Sequence, residues 1–177
     1  MERTTYAIAL GSNRRGIHGA PAATIRAALA AVGGVVAVSP IIASAPLGPS
    51  IRRYANAVAL VETHDSPPVL LARLKRIETA FGRRRGRRWG SRVIDLDIIL
   101  WSGGAWRGPG LSVPHAAYRD RDFVLAPLAR IAPRWRDPLT GQSVRHLAHK
   151  VDRPRLRPSW LAADARVRSS VGRASDF

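Results

Sequence analysis

Val93-Ile94-Asp95-Leu96-Asp97-Ile98-Ile99-Leu100-Trp101 is the stretch on which the reading of this chain turns. Side chains alternate across a β-strand, so Asp95 and Asp97 share one face, and Ile94, Leu96, Ile98 and Leu100 form an apolar row on the other. Ser102-Gly103-Gly104 closes the strand. Two carboxylates about 6.5–7 Å apart on a rigid strand repel each other unless a cation lies between them. A magnesium ion held by one or two carboxylates plus substrate phosphates meets that need. An amphipathic edge strand that turns both acids to solvent would read the same way.

Immediately upstream, Arg83-Arg84-Arg85-Gly86-Arg87-Arg88-Trp89-Gly90-Ser91-Arg92 packs six Arg and no acid into ten residues. A run so charged and glycine-broken joins no core and predicts a solvated loop. Next to two acids it suits phosphate. Mobile guanidinium groups clamp outer oxygens while a divalent ion neutralises the inner ones, and such a loop can close as a lid. Trp89 also leaves stacking on a nucleic-acid base open.

Before the Arg run, Ser66 and Pro67 read as the N-cap and first position of a helix. Leu70, Leu74, Ile77 and Phe81 form its core stripe, and Gly82 ends it. Tyr54 to Thr63 alternates as a strand, with Tyr54, Asn56, Val58, Leu60 and Glu62 on one face. Val35 to Ala43 reads as one β-branched strand, and Pro21 to Val32 as an Ala-rich helix stopped by Gly33-Gly34. Thr5 to Leu10 reads as a buried strand turning at Gly11-Ser12-Asn13. Downstream come a short return near Trp106, a loop through Pro114-His115, and a helix from Asp122 to Ile131. The order β, α, β, β, α, β predicts a ferredoxin-like α/β (α+β) sandwich: a mostly antiparallel sheet with two helices on one face. A single domain over residues 1–151 is expected, with a basic tail from 152 to 177 in which the pattern fails.

The 177 residues carry 29 Lys plus Arg against 12 Asp plus Glu, a net charge of +17, and no cysteine. The missing cysteine excludes disulfide scaffolds, cysteine nucleophiles and thiolate zinc sites. No apolar run reaches the 18 or so residues that a membrane span needs, and the reading is of a cytoplasmic monomer without a membrane partner. The charge suits a nucleic acid, an anionic membrane surface or a small polyanion such as a nucleoside triphosphate as partner. A nucleic-acid-binding module on a ferredoxin-like sheet is the competing function, but such a sheet offers aromatic residues on its central strands, where this one offers Asp95 and Asp97.

Taken in order, Gly11-Ser12-Asn13, Pro46-Leu47-Gly48-Pro49, Tyr54-x-Asn56, Glu78, Gly82-Arg83-x-Arg85, Arg88-Trp89-Gly90-x-Arg92, Asp95-Leu96-Asp97-Ile98, Val113-Pro114-His115 and Arg121-x-Phe123 resemble the 6-hydroxymethyl-7,8-dihydropterin pyrophosphokinase family of folate biosynthesis. The likeness runs from about residue 5 to 150. It implies transfer of pyrophosphate from ATP to the hydroxymethyl group of the pterin, leaving AMP, with two Mg2+ ions on Asp95 and Asp97. The resemblance further implies that Tyr54 and Phe123 sandwich the pterin, Asn56 reads its edge, and Ser44, Leu47 and Asp95 complete its site. Glu78, Arg85, Trp89, Arg92, His115 and Arg121 would face the nucleotide, with Arg83 and Arg92 as catalytic clamps. The chain departs from the family pattern in a loop one residue shorter between Pro49 and Tyr54 and a lid one residue shorter between Arg83 and Trp89. Lys75 stands where Gln is frequent, and the surroundings of Phe123 are more acidic.

Overall fold

Nine residues of alternating bulk, Thr4–Ser12, form β1, the central strand of the sheet. The computed structural model describes residues 2–45, 52–82 and 93–152. After β1 come α1 (Pro21–Val32), β2 (Val35–Val38), β3 (Ile42–Ser44), β4 (Tyr54–Thr63), α2 (Pro67–Ala80) and β5 (Asp95–Trp101). A separate hairpin of β6 (Trp106–Gly108) and β7 (Leu111–Val113) follows, then a 3-10 turn at Tyr118–Asp120, α3 (Asp122–Ile131) and α4 (Val144–Asp152). The main sheet runs β2-β4-β1-β5, with β3 also on β4, and the pairings are antiparallel. That order is the one a ferredoxin-like βαββαβ core requires.

The expected pair of helices, α1 and α2, covers one face over Ile8, Leu10, Ile25, Leu70, Leu74, Leu96 and Ile98. The other face is covered too, contrary to expectation: α3 and α4 pack Leu125, Leu128, Val144 and Leu147 on Ala7, Val58 and Ile99. The expected single strand from Val35 to Ala43 is two. At Ser39-Pro40 the ladder changes form. Pro40 lacks an N–H to donate, and Ser39 exchanges bonds with Val58 through its backbone N–H (2.9 Å) and through its hydroxyl, which accepts the Val58 N–H at 3.0 Å. Gly34 turns α1 into β2 at φ +64°, and a Cβ there would meet the Glu62 carbonyl oxygen at 2.4 Å.

Ser66 stands at the N-cap of α2 without a side-chain capping bond. The apolar row of β5 also breaks. Ile8 pairs with Ile98 and Ala7 with Leu100, so Ile99 is an extra residue, a bulge. The bulge puts Ile99 and Leu100 together on the α3/α4 face rather than in the row with Leu96.

Candidate active site

At one end of the sheet the register lines up a row across three strands: Asn56 of β4, Gly11 of β1 and Asp95 of β5. Residues directly opposite in a ladder share a face. This is the α3/α4 face, because Val58 and Leu60, in phase with Asn56, pack with those helices. Asp97 stands opposite Ala9, one step further along the same face. Both Asp residues are half-buried, while Leu96 and Ile98, which alternate with them, are buried in the opposite face. Gly11 keeps the row open: a Cβ there would lie 3.3 Å from Asn56 Oδ1. The Asn56 amide is aimed by its Nδ2, which donates to Ser44 Oγ at 2.8 Å. Ser44 itself pairs with Tyr54, whose side chain is in phase with Asn56. Phe123, in the first turn of α3, packs with the same face, and the Arg121 guanidinium lies 5.8 Å from its ring centre.

His115 reaches this end from the loop after β7. Its backbone N–H donates to Ile99 O at 3.0 Å, and its Nδ1 accepts the Ala117 N–H at 3.2 Å. Burial lowers the imidazole below its ordinary value. Asp97 pulls it up, Arg121 pushes it down, Asp95 pulls up and Lys75 pushes down. His115 therefore lies within electrostatic reach of both acids.

Glu78, expected on the nucleotide side, is fully buried and turned to the backbone. Its Oε1 accepts the Leu96 N–H at 2.7 Å and a Lys75 Nζ hydrogen at 2.8 Å. Lys75 Nζ also donates to Leu96 O at 3.0 Å and stands 3.8 Å from Asp97 Oδ1. As β5 ends the sheet order, α2 thus takes both peptide groups of Leu96 on the strand's outer edge. Nothing in the hydropathy pattern of α2 signals that contact. A buried Glu four residues after Leu74 would have been legible only as a carboxylate placed on the core stripe.

Two further features escaped sequence reasoning. The loop after β1 touches both flanks of the Arg run: His18 packs on Phe81 with ring centres 4.2 Å apart, and Gly16 approaches Val93 so closely that a Cβ would overlap Val93 Cγ1. The second is a knot around Asp137, which is fully buried. Its Oδ2 accepts the Tyr118 hydroxyl at 2.6 Å, and its Oδ1 accepts Arg119 Nη2 at 2.9 Å and the Leu139 N–H at 2.8 Å. That knot ties the turn between His115 and Arg121 to the α3–α4 connection. Leu47, Arg83, Arg85, Trp89 and Arg92 lie outside the described residues.

The two Asp carboxylates are the hard oxygen donors that magnesium takes. Among the described residues no cluster of three or more His, Cys, Asp or Glu could hold a metal ion by itself. An ion held by the pair would take its remaining ligands from outside these described residues.

Residues 7–133 match the sequence profile of 7,8-dihydro-6-hydroxymethylpterin-pyrophosphokinase, HPPK. The chain belongs to the HPPK family. Among similar proteins, the 2-amino-4-hydroxy-6-hydroxymethyldihydropteridine pyrophosphokinase of Pseudomonas aeruginosa is 44% identical over 137 residues, 74% of this chain and 82% of that protein. Its namesake in Haemophilus influenzae is 43% identical over 135 residues, 73% of this chain and 81% of that one. The Synechocystis protein of the same name is 40% identical over 109 residues, and the match spans 56% of its length. A crystal structure of Plasmodium falciparum HPPK-DHPS superposes with a TM-score of 0.67 at 14% identity, covering 84% of this chain and 41% of that one. This last likeness supports the ferredoxin-like fold. The row from Asn56 to Asp95 marks the end of the sheet where the candidate site lies.

Proposed function

We propose that the Asn56–Gly11–Asp95 row, with Asp97 beside it, is the floor on which this chain transfers pyrophosphate from ATP to the hydroxymethyl group of 6-hydroxymethyl-7,8-dihydropterin, releasing AMP in folate synthesis. Family membership decides for the enzyme over the nucleic-acid module. The single observation that carries the site is the placement of Asn56, Asp95 and Asp97 on one face, at the sheet end that Phe123 and His115 also reach.

The pterin is a flat heterocycle with donors and acceptors on its edge. Tyr54 and Phe123 supply rings to stack on it. The Asn56 amide offers both a donor and an acceptor, and Ser44 fixes its orientation. Leu47 and Asp95 complete the pterin side. Glu78, Arg85, Trp89, Arg92, His115 and Arg121 serve the nucleotide side, with Glu78 acting through β5 and not by contact. In the reaction the pterin hydroxyl oxygen forms a bond to the β-phosphorus. The bond from that phosphorus to the oxygen of the α-phosphate breaks, AMP leaves with that oxygen, and the hydroxyl proton passes to solvent.

Asp95 and Asp97 would hold magnesium, which when bound neutralises the oxygens of the triphosphate. Arg83 and Arg92 would clamp the group in transit. Positioning and charge stabilisation supply most of the rate in transfers of this kind. The test is AMP formation that depends on the hydroxymethyl pterin. Asp95→Ala and Asp97→Ala should each reduce it to background while leaving the thermal transition in place. Wild-type turnover in the double variant would remove the metal assignment.

A further inference from the structure

Lys75 is the one cation on the described surface of α2 that is wedged against the carboxylate strand. Two of its three ammonium hydrogens are committed, to Glu78 Oε1 at 2.8 Å and Leu96 O at 3.0 Å, and Asp97 Oδ1 stands at 3.8 Å. Glu78 is fully buried, and its carboxylate together with Leu96 O holds the ammonium against β5. The charge beside Asp97 is therefore fixed in place.

We propose that Lys75 is a positioning residue of the metal site, whose ammonium keeps Asp95 and Asp97 from loading a divalent cation ahead of the nucleotide. The inference rests on the reading of Asp95 and Asp97 as the metal-holding pair. A divalent ion bound to Asp97 meets a fixed positive charge a few ångströms away. Even with the full screening of water, a doubly charged ion about 6 Å from a single positive charge loses about tenfold in affinity. A triphosphate arriving with its own cation reverses the balance. Its negative oxygens are attracted to the same ammonium, so the penalty falls on the bare ion and not on the nucleotide complex. Lys75 thus discriminates between the two by charge.

Mn2+ is the probe, with binding to the full-length chain followed by electron paramagnetic resonance and by calorimetry, in the absence and presence of a non-hydrolysable ATP analogue. Lys75→Gln keeps a donor for Glu78 and removes the charge; Lys75→Met is the second uncharged variant should the amide not fold, as judged by thermal melting. Lys75→Arg keeps the charge. Without nucleotide, the uncharged variants should bind Mn2+ about tenfold more tightly than wild type, and Lys75→Arg should match wild type. With the analogue present the difference should shrink to less than about threefold. Equal Mn2+ affinity in wild type and both uncharged variants would overturn the proposal. So would a gain in Lys75→Arg as large as in Lys75→Gln, which would assign the effect to packing. The Asp95→Asn/Asp97→Asn double variant separates the underlying reading. If it retains wild-type Mn2+ binding with the analogue, the carboxylates are not the metal ligands, and both ideas fall.

Discussion

Asp137 shows how much one side chain outside the site can set. Burial alone would raise its carboxyl, but hydrogen bonds from Arg119, Tyr118 and the Leu139 N–H, with the Arg119 charge, bring it from 3.8 down to about 2. A carboxyl depressed in the folded state adds stability above its unfolded value and loses it as the pH falls through the folded one. The chain should therefore lose on the order of 2 kcal/mol between about pH 4 and pH 2, measured by urea unfolding across that window. Asp137→Asn should remove the pH dependence and cost about 3–5 kcal/mol, because Arg119 is left without its buried partner. His115 gives a second test at this scale. Asp97 pulls its titration upward and Arg121 pushes it down. Asp97→Asn should lower the His115 midpoint, and Arg121→Gln should raise it, both read by NMR of the imidazole. The shared face of Asp95 and Asp97 was legible because alternation along a strand is local, whereas the roles of Asn56 and Phe123 came only from the family resemblance. The burial of Glu78 and Asp137 was not legible, because it depends on partners 18 residues away for Glu78 and 18 to 19 for Asp137.

Helices and long strands were readable where one period runs unbroken. The bounds of α1, α3 and β4 coincide with the expected Pro21–Val32, Asp122–Ile131 and Tyr54–Thr63. Errors arose where the period changes. The bulge at Ile99 is invisible in a uniformly apolar run, since the displaced register depends on β1 and not on β5 itself. The β6–β7 hairpin is too short to show alternation on its second strand. Helix α4 has no counterpart among the expected elements, although Val144, Leu147 and Val151 keep a spacing of three and four; the charge of Arg145, His146, His149 and Lys150 masks it. Its contribution is measurable. Leu147 is nearly inaccessible in the second cluster, so Leu147→Ala should cost about 2–5 kcal/mol in chemical denaturation. Pterin-dependent AMP formation should persist at temperatures where the variant remains folded.

At the scale of the molecule, the sheet is a middle layer with helices on both faces, and the site sits at one end of the layer that α3 and α4 share. Two helices beyond the core βαββαβ unit thus cover the face of β1, β4 and β5 that carries the candidate site. The net charge of +17 acts at this scale as well. A cationic surface raises the local concentration of an anionic substrate and does so less as salt screens it. The apparent KM for ATP should rise several-fold between about 50 and 500 mM KCl, while that for the uncharged pterin moves less than about twofold; equal shifts in both would remove the steering role. The cover that Glu78 and Lys75 place over the Leu96 peptide carries a consequence for assembly. An unpaired strand edge is a template on which another chain can add a strand. At Leu96 both backbone groups already have partners from α2, so an incoming strand would first have to displace a buried carboxylate and its counter-ion. Strand addition is thereby opposed at Leu96, the residue between Asp95 and Asp97.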